Sequence, residues 1–105
     1  MKKDAFKPLA KSLQELFSKK NRWCQNSYAK NKNNKDVESR STNAVKFCLL
    51  GGLKHVYGDK LYNVMKQKLH ASLPLPNKTP SIAYFNDRPR TKLADIRKLV
   101  KKAGV

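Results

Sequence analysis

The sequence predicts an all-α fold, a single small domain spanning residues 1–105 with about four helices and a long polar loop between the first two. Three observations lead there. Apolar residues recur at helical spacing in several separate stretches. The stretch NAVKFCLLGGLKHVYG is apolar on several faces at once, as expected of a central helix packed by neighbours. A chain of 105 residues suits one core of roughly 13 Å radius of gyration. Its hydrophobic content of 39% is enough for a small core, although a chain this short buries only about two-thirds of its unfolded surface.

Phe6, Leu9, Leu13, Leu16 and Phe17 form the stripe of a first helix running to about Lys20. Either Asp4 caps it with Pro8 in the first turn, or it begins nearer Pro8. Trp23 and Cys24 follow its end, where an indole can seal a core while its N–H finds a polar partner. Residues 25–43 carry Lys30, Lys32, Lys35 and Arg40 among asparagines, with Tyr28 and Val37 as the only anchors. Such a segment has too few apolar side chains to offset its ordering entropy, so it is expected to be a mobile loop, most of all around 31–35.

Ser41, Thr42 and Asn43 have the chemistry of helix caps, which places the start of the central helix there. Gly51 and Gly52 lie inside it, Gly58 ends it, and Asp59 caps a third helix. That helix shows Leu61, Val64, Met65 and Leu69 on one face and stops at Leu73-Pro74-Leu75-Pro76. Residues 74–90 then read as a docked loop in which Ile82, Tyr84 and Phe85 supply the apolar contact. Thr91 is the expected N-cap of a last helix bearing Leu93, Ile96, Leu99, Val100 and Ala103, with Gly104 beyond it.

Charge is the strongest functional signal. Twenty-four Lys and Arg stand against seven Asp and Glu, a formal net charge of +17, where solubility alone favours a magnitude of about 2–8. Self-repulsion of that size is relieved by a polyanion, most commonly nucleic acid, with an anionic membrane or an acidic protein surface as rivals. A lysine-biased coding sequence is the compositional alternative. No apolar run reaches the length of about 20 residues that a membrane span needs. The N-terminus MKKDAFKPLA lacks a signal-peptide run, so a cytoplasmic protein with reduced thiols is expected.

Chemistry is sparse by comparison. Cys24, Cys48, His55 and His70 show no metal-ligand spacing, and no metal or cofactor is expected. Both cysteines sit in apolar company and read as packed thiols. Asp36 and Glu38 lie in a Lys- and Asn-rich loop without a rigid frame for a catalytic metal. In YFNDRPRTK, Asp87 is explained by a turn or an ion pair, with Asn86 and Asp87 shaping the turn before Pro89. The expectation is a protein that is not an enzyme.

Three ordered motifs, Trp23-Cys24-Gln25, Phe47-Cys48-Leu49-Leu50-Gly51 and Phe85-Asn86-Asp87-Arg88-Pro89-Arg90-Thr91, resemble those of an uncharacterised family of short bacterial and phage proteins, a domain of unknown function. The resemblance runs from Leu9 to Ala103 and brings no known activity. It implies that these elements belong to a shared framework and a bacterial host cell. The basic loop NKNNK departs from the Asp and Gly that such proteins often carry there.

Together these readings predict a small basic protein that binds RNA or DNA through phosphates, without chemistry. The expected contacts are Arg22, Lys30, Lys32, Lys35 and Arg40 from the loop, and Arg88, Arg90 and Lys92 before the last helix. Lys98, Lys101 and Lys102 complete the set, at i, i+3 and i+4 on that helix's solvent side. Lys7, Lys11, Lys19 and Lys20 add charge on the first helix. Sequence readout is not expected, since no helix-turn-helix signature is present. Tyr28 and Tyr84 are candidates to stack on bases, whereas Trp23 and Phe85 suit core packing. The alternative is a phage-type inhibitor or adaptor docking on an acidic surface of a host protein or ribonucleoprotein, such as a defence nuclease.

Overall fold

A computed structural model describes residues 6–74 and 81–105. Four helices and one small antiparallel sheet are present among them: α1 (Leu13–Leu16), β1 (Ala29–Lys30), β2 (Lys46–Phe47), α2 (Leu49–Ala71), α3 (Ile82–Asp87) and α4 (Leu93–Ala103). The fold is therefore mixed, mostly helical with a two-stranded sheet, and not all-α. In the sheet Ala29 pairs with Phe47 and Lys30 with Lys46. Two-residue strands are too short to show a period of two, so the sequence pattern could not report them. Tertiary packing makes them: Ala29 and Phe47 are fully buried, and their backbone groups must find partners there. Phe47 O accepts from Cys24 N at 3.0 Å, Tyr28 O from Cys48 N at 3.2 Å and Ala29 O from Val37 N at 3.1 Å.

The first helix is one turn, not a helix over residues 6–20. Its start signal is Ser12-x-x-Glu15: Ser12 Oγ accepts from Glu15 N at 3.1 Å, and Glu15 Oε1 accepts from Lys11 N at 2.8 Å. Upstream the chain is irregular because the Leu9 N–H donates to His55 Nε2 at 2.9 Å and not along a helix. Leu13, Leu16 and Phe17 still reach the core, while Leu9 stays exposed. The helix predicted to stop at Leu73-Pro74-Leu75-Pro76 ends at Ala71 with Ser72 as its C-cap, just ahead of those residues, whereas a cap at Asp4 and the part of the 74–90 loop over 75–80 lie outside the described residues.

The central helix begins at Leu49 and is capped by Cys48, whose Sγ accepts from Gly51 N at 3.3 Å, not by 41–43. The strand pairing of residues 45–48 uses the backbone that an earlier start would need. Gly51 permits this arrangement, because a Cβ there would sit 1.8 Å from Tyr28 O. The predicted break at Gly58 is a kink within one run, with φ 67° and ψ −175°, a conformation suited to glycine. Beyond the kink the second half of α2 is only partly covered by the rest of the fold. Leu69 is buried, but Leu61 and Val64, expected on the buried face, are 45% and 51% exposed.

Residues 82–87, read as part of a docked loop, form α3. Ser81 Oγ caps it, accepting from Tyr84 N at 3.0 Å, and Ile82, Phe85 and Asn86 are buried. Helix α4 buries Ile96, Leu99 and Val100 and ends at Gly104, as the pattern predicts. Its N-cap is Lys92 and not Thr91: the Asp95 carboxylate accepts from Lys92 N at 2.9 Å. Arg97 ties α4 to the end of α1 by donating to Phe17 O at 2.8 Å and Ser18 O at 3.0 Å. The core lies where α1, α3 and α4 pack on α2.

Candidate functional site

Asn86, at the end of α3, is 1% exposed and uses its whole side-chain hydrogen-bonding capacity. Its Oδ1 accepts from Trp23 Nε1 at 2.8 Å and from Leu49 N at 3.0 Å. Its Nδ2 donates to Cys24 O at 3.1 Å and to Asp87 Oδ1 at 2.8 Å. Gln25 Nε2 donates to Asn86 O and Arg88 O, at 3.0 and 2.9 Å, and Asp87 Oδ1 also accepts from Asn26 N at 2.8 Å. The three sequence motifs thus meet in one polar clasp, and Asp87 serves it as an acceptor.

The clasp fixes the segment that follows. Thr91 is buried and donates from Oγ1 to Phe85 O at 2.8 Å, while the same oxygen accepts from Arg88 Nε at 3.1 Å. The Arg88 guanidinium lies 4.7 Å from the Phe85 ring centroid, a cation–π distance. Arg88 is therefore held in one orientation before any ligand arrives. Beside it a cavity of about 380 Å³ is lined by Arg88, Arg90, Lys98 and Lys102, with Phe85 and Asp95 also on its wall. Residues from the turn after α3 and from α4 converge there, setting four cations against one carboxylate. The planar guanidinium groups match phosphate or carboxylate oxygens in pairs, and the lysines add point charge.

The remaining predicted contacts are distributed elsewhere. Lys92 is exposed at the α4 N-cap, and Lys101 lines a separate depression with Arg97 and Gln14. Lys32 and Lys35 are exposed on a tight turn. In that turn Asn31 Oδ1 accepts from Asn33 N at 2.8 Å and Lys35 N at 3.1 Å, and Asn34 has φ 62°. Turn chemistry of asparagine was the readable signal in NKNNK. Lys30 faces Lys46 across the sheet, and Lys46 Nζ donates to Asn34 Oδ1 at 3.0 Å. Arg22 closes the 3₁₀ turn Lys20–Arg22. Arg40 donates to Lys54 O at 3.0 Å and His55 O at 3.2 Å and stacks 4.5 Å from the Phe6 ring.

Neither thiol is activated. Burial pushes the Cys24 thiol up to about 11, and burial also raises Cys48. Among the described residues no three His, Cys, Asp or Glu side chains gather in an arrangement that could hold a metal ion, and no helix is long and apolar enough to cross a membrane. Comparison with curated proteins and with solved structures returned no match. A family model, described as "Family of unknown function (DUF6197)", matches residues 9–104. Nearly the whole chain, clasp and cationic cleft included, thus belongs to that family.

Proposed function

We propose that the protein binds nucleic acid through its phosphates, as a non-catalytic basic domain. The observation that carries this reading is the convergence of Arg88, Arg90, Lys98 and Lys102 on one cleft in a chain of net charge +17. Separate exposed lysines gain little from each phosphate, but a preoriented arginine beside three further cations neutralises neighbouring phosphates together and releases their counterions. Lys92 at the start of α4, Lys101 in its separate depression and the cations on the 31–35 turn supply further, more diffuse contacts. The cytoplasm of a bacterial cell is the setting in which such a protein would meet RNA and DNA.

The test is a binding titration on single-stranded RNA and on duplex DNA at several salt concentrations. Wild type is compared with Arg90→Gln/Lys98→Gln/Lys102→Gln, with Arg88 kept because it holds Thr91. Affinity should fall, and the slope of log K against log salt should become shallower by up to about one unit for each phosphate no longer neutralised. A Lys32→Gln/Lys35→Gln variant should show a smaller change. An unchanged slope in the cleft variant removes the cleft from the interface, and no binding by wild type at low salt ends the reading.

A further inference from the structure

Two adjoining cavities, of about 530 and 550 Å³, share Tyr28, Asp36, Val37 and Leu50 in their walls and form one trough. Its floor is apolar, from Val37 and Leu50, and the Tyr28 side chain beside it is 64% exposed. Asp87 lines one end and Glu38 the other. Three of the seven acidic residues of the chain thus border a single trough, although cations outnumber them throughout the sequence.

These carboxylates are not neutralised from within. The one ion pair among the described residues joins Lys54 Nζ to Asp59 Oδ1 at 3.2 Å. Asp36 accepts from Ser27 Oγ at 2.7 Å, and Asp87 accepts from Asn26 N and Asn86 Nδ2, each at 2.8 Å. Those bonds come from neutral donors, which hold the carboxylates in place without an ion pair. Lys54 Nζ already lies 4.9 Å from the centroid of Tyr62, another wall of the trough. A phenol ring here therefore accepts an ammonium group, and among the described residues Tyr28 has no such cation.

We propose that the trough receives a short extended segment of a partner protein carrying one or two lysine or arginine side chains. A cationic group would lie over the Tyr28 ring between Asp36 and Glu38, with the segment's apolar side chains against Val37 and Leu50. Charge complementarity favours this occupant. A phosphate backbone would meet three carboxylates against one lysine, Lys54, in the trough's walls, whereas the more distant positive charge of the chain is screened beyond about 8–10 Å at physiological ionic strength. Contact-range attraction and cation–π stacking then outweigh the overall repulsion.

The experiment is a titration of the isotopically labelled full chain, followed by amide chemical shifts. The probe is a mixture of acetylated, amidated hexapeptides with fixed lysine and arginine at alternate positions and Ala, Leu, Val or Ser elsewhere. Saturable shifts are expected at Tyr28, Val37 and Leu50. Affinity should fall about five- to tenfold in Asp36→Asn/Glu38→Gln and in Tyr28→Ala, substitutions at exposed side chains that leave the fold intact. Equal binding of a matched mixture with norleucine and citrulline in place of the cations would overturn the proposal. So would the absence of saturable shifts, shifts confined to other faces, or saturable shifts of the trough with a single-stranded RNA. Concentration-dependent shifts of the same amides without peptide would assign the trough to a second copy of the chain and overturn it equally.

Discussion

Replacing Asn86 by Ala should be the most destabilising single polar substitution in the protein. The change removes four side-chain hydrogen bonds at a position 1% exposed. At roughly 1 kcal/mol net for each bond the loss is about 4 kcal/mol. The groups left behind differ in what they can recover. Trp23 is half-buried and can turn its N–H to water, but the Leu49 N–H opens α2 inside the core and has nowhere else to go, at a further cost of about 1–3 kcal/mol. Partial water entry offsets some of this, so about 3–5 kcal/mol is expected overall. A domain of this size has a stability on the order of 5–15 kcal/mol, so the variant would keep a fraction of it and melt at least about 12 °C lower. Urea unfolding followed by far-UV circular dichroism reads the loss directly. Trp23→Phe removes the indole donor together with part of the ring that packs against the core and should cost about 1–3 kcal/mol, with coupling to Asn86→Ala in a double-mutant cycle. A loss below about 1 kcal/mol for Asn86→Ala at an unchanged m value would refute the clasp as the junction of the fold.

Gly51→Ala should unfold the sheet or the whole domain, since the new methyl would overlap Tyr28 O at 1.8 Å and the clash is with backbone on both sides; amide exchange at Ala29 and Phe47 would report it. Stability should fall as pH drops below the ordinary histidine range of about 6.5, because burial and the nearby Arg40 and Arg22 lower the His55 pKa. The folded state prefers the neutral ring, which accepts from Leu9 N and bonds Ser39 O, so stability is complete above the unfolded pKa and is lost as pH falls toward the folded one. Melting temperature against pH should show that slope in wild type and a weaker one in His55→Gln. Cys48, which is buried, and Cys24, which is partly buried, have raised pKa values and should react slowly with a thiol reagent in the native protein and fast in denaturant; rapid native labelling of Cys24 would contradict its raised pKa. Asp87→Ala loses acceptance from Asn26 and Asn86 and should cost about 1–3 kcal/mol while nucleic-acid affinity, measured where the variant remains folded, stays near wild type.

Properties that are sums or short-range periods were legible in the sequence. Net charge is additive, and the α4 stripe of Leu93, Ile96, Leu99 and Val100 ending at Gly104 needs only residues three or four apart. The break at Gly58 is likewise a local conformational preference. Where the same local rules failed, a distant partner had taken the backbone or side chain: His55 captures the Leu9 N–H and shortens α1, the sheet claims residues 46–47 and delays α2, and Phe85 O takes the Thr91 hydroxyl from its expected cap. Within the candidate site the basic residues were all readable as charges, but their division was not. Arg88, Arg90, Lys98 and Lys102 share a cleft because the Asn86 clasp sets the angle at which the chain leaves α3, while Arg40 is drawn onto α2 and Lys101 onto the α1 side of α4. The sequence by itself determined how much positive charge the protein carries and which segments can be helical. Only the tertiary structure decided which charges meet, because that depends on hydrogen bonds between residues about sixty positions apart, whose energy exists only once the core has closed around them.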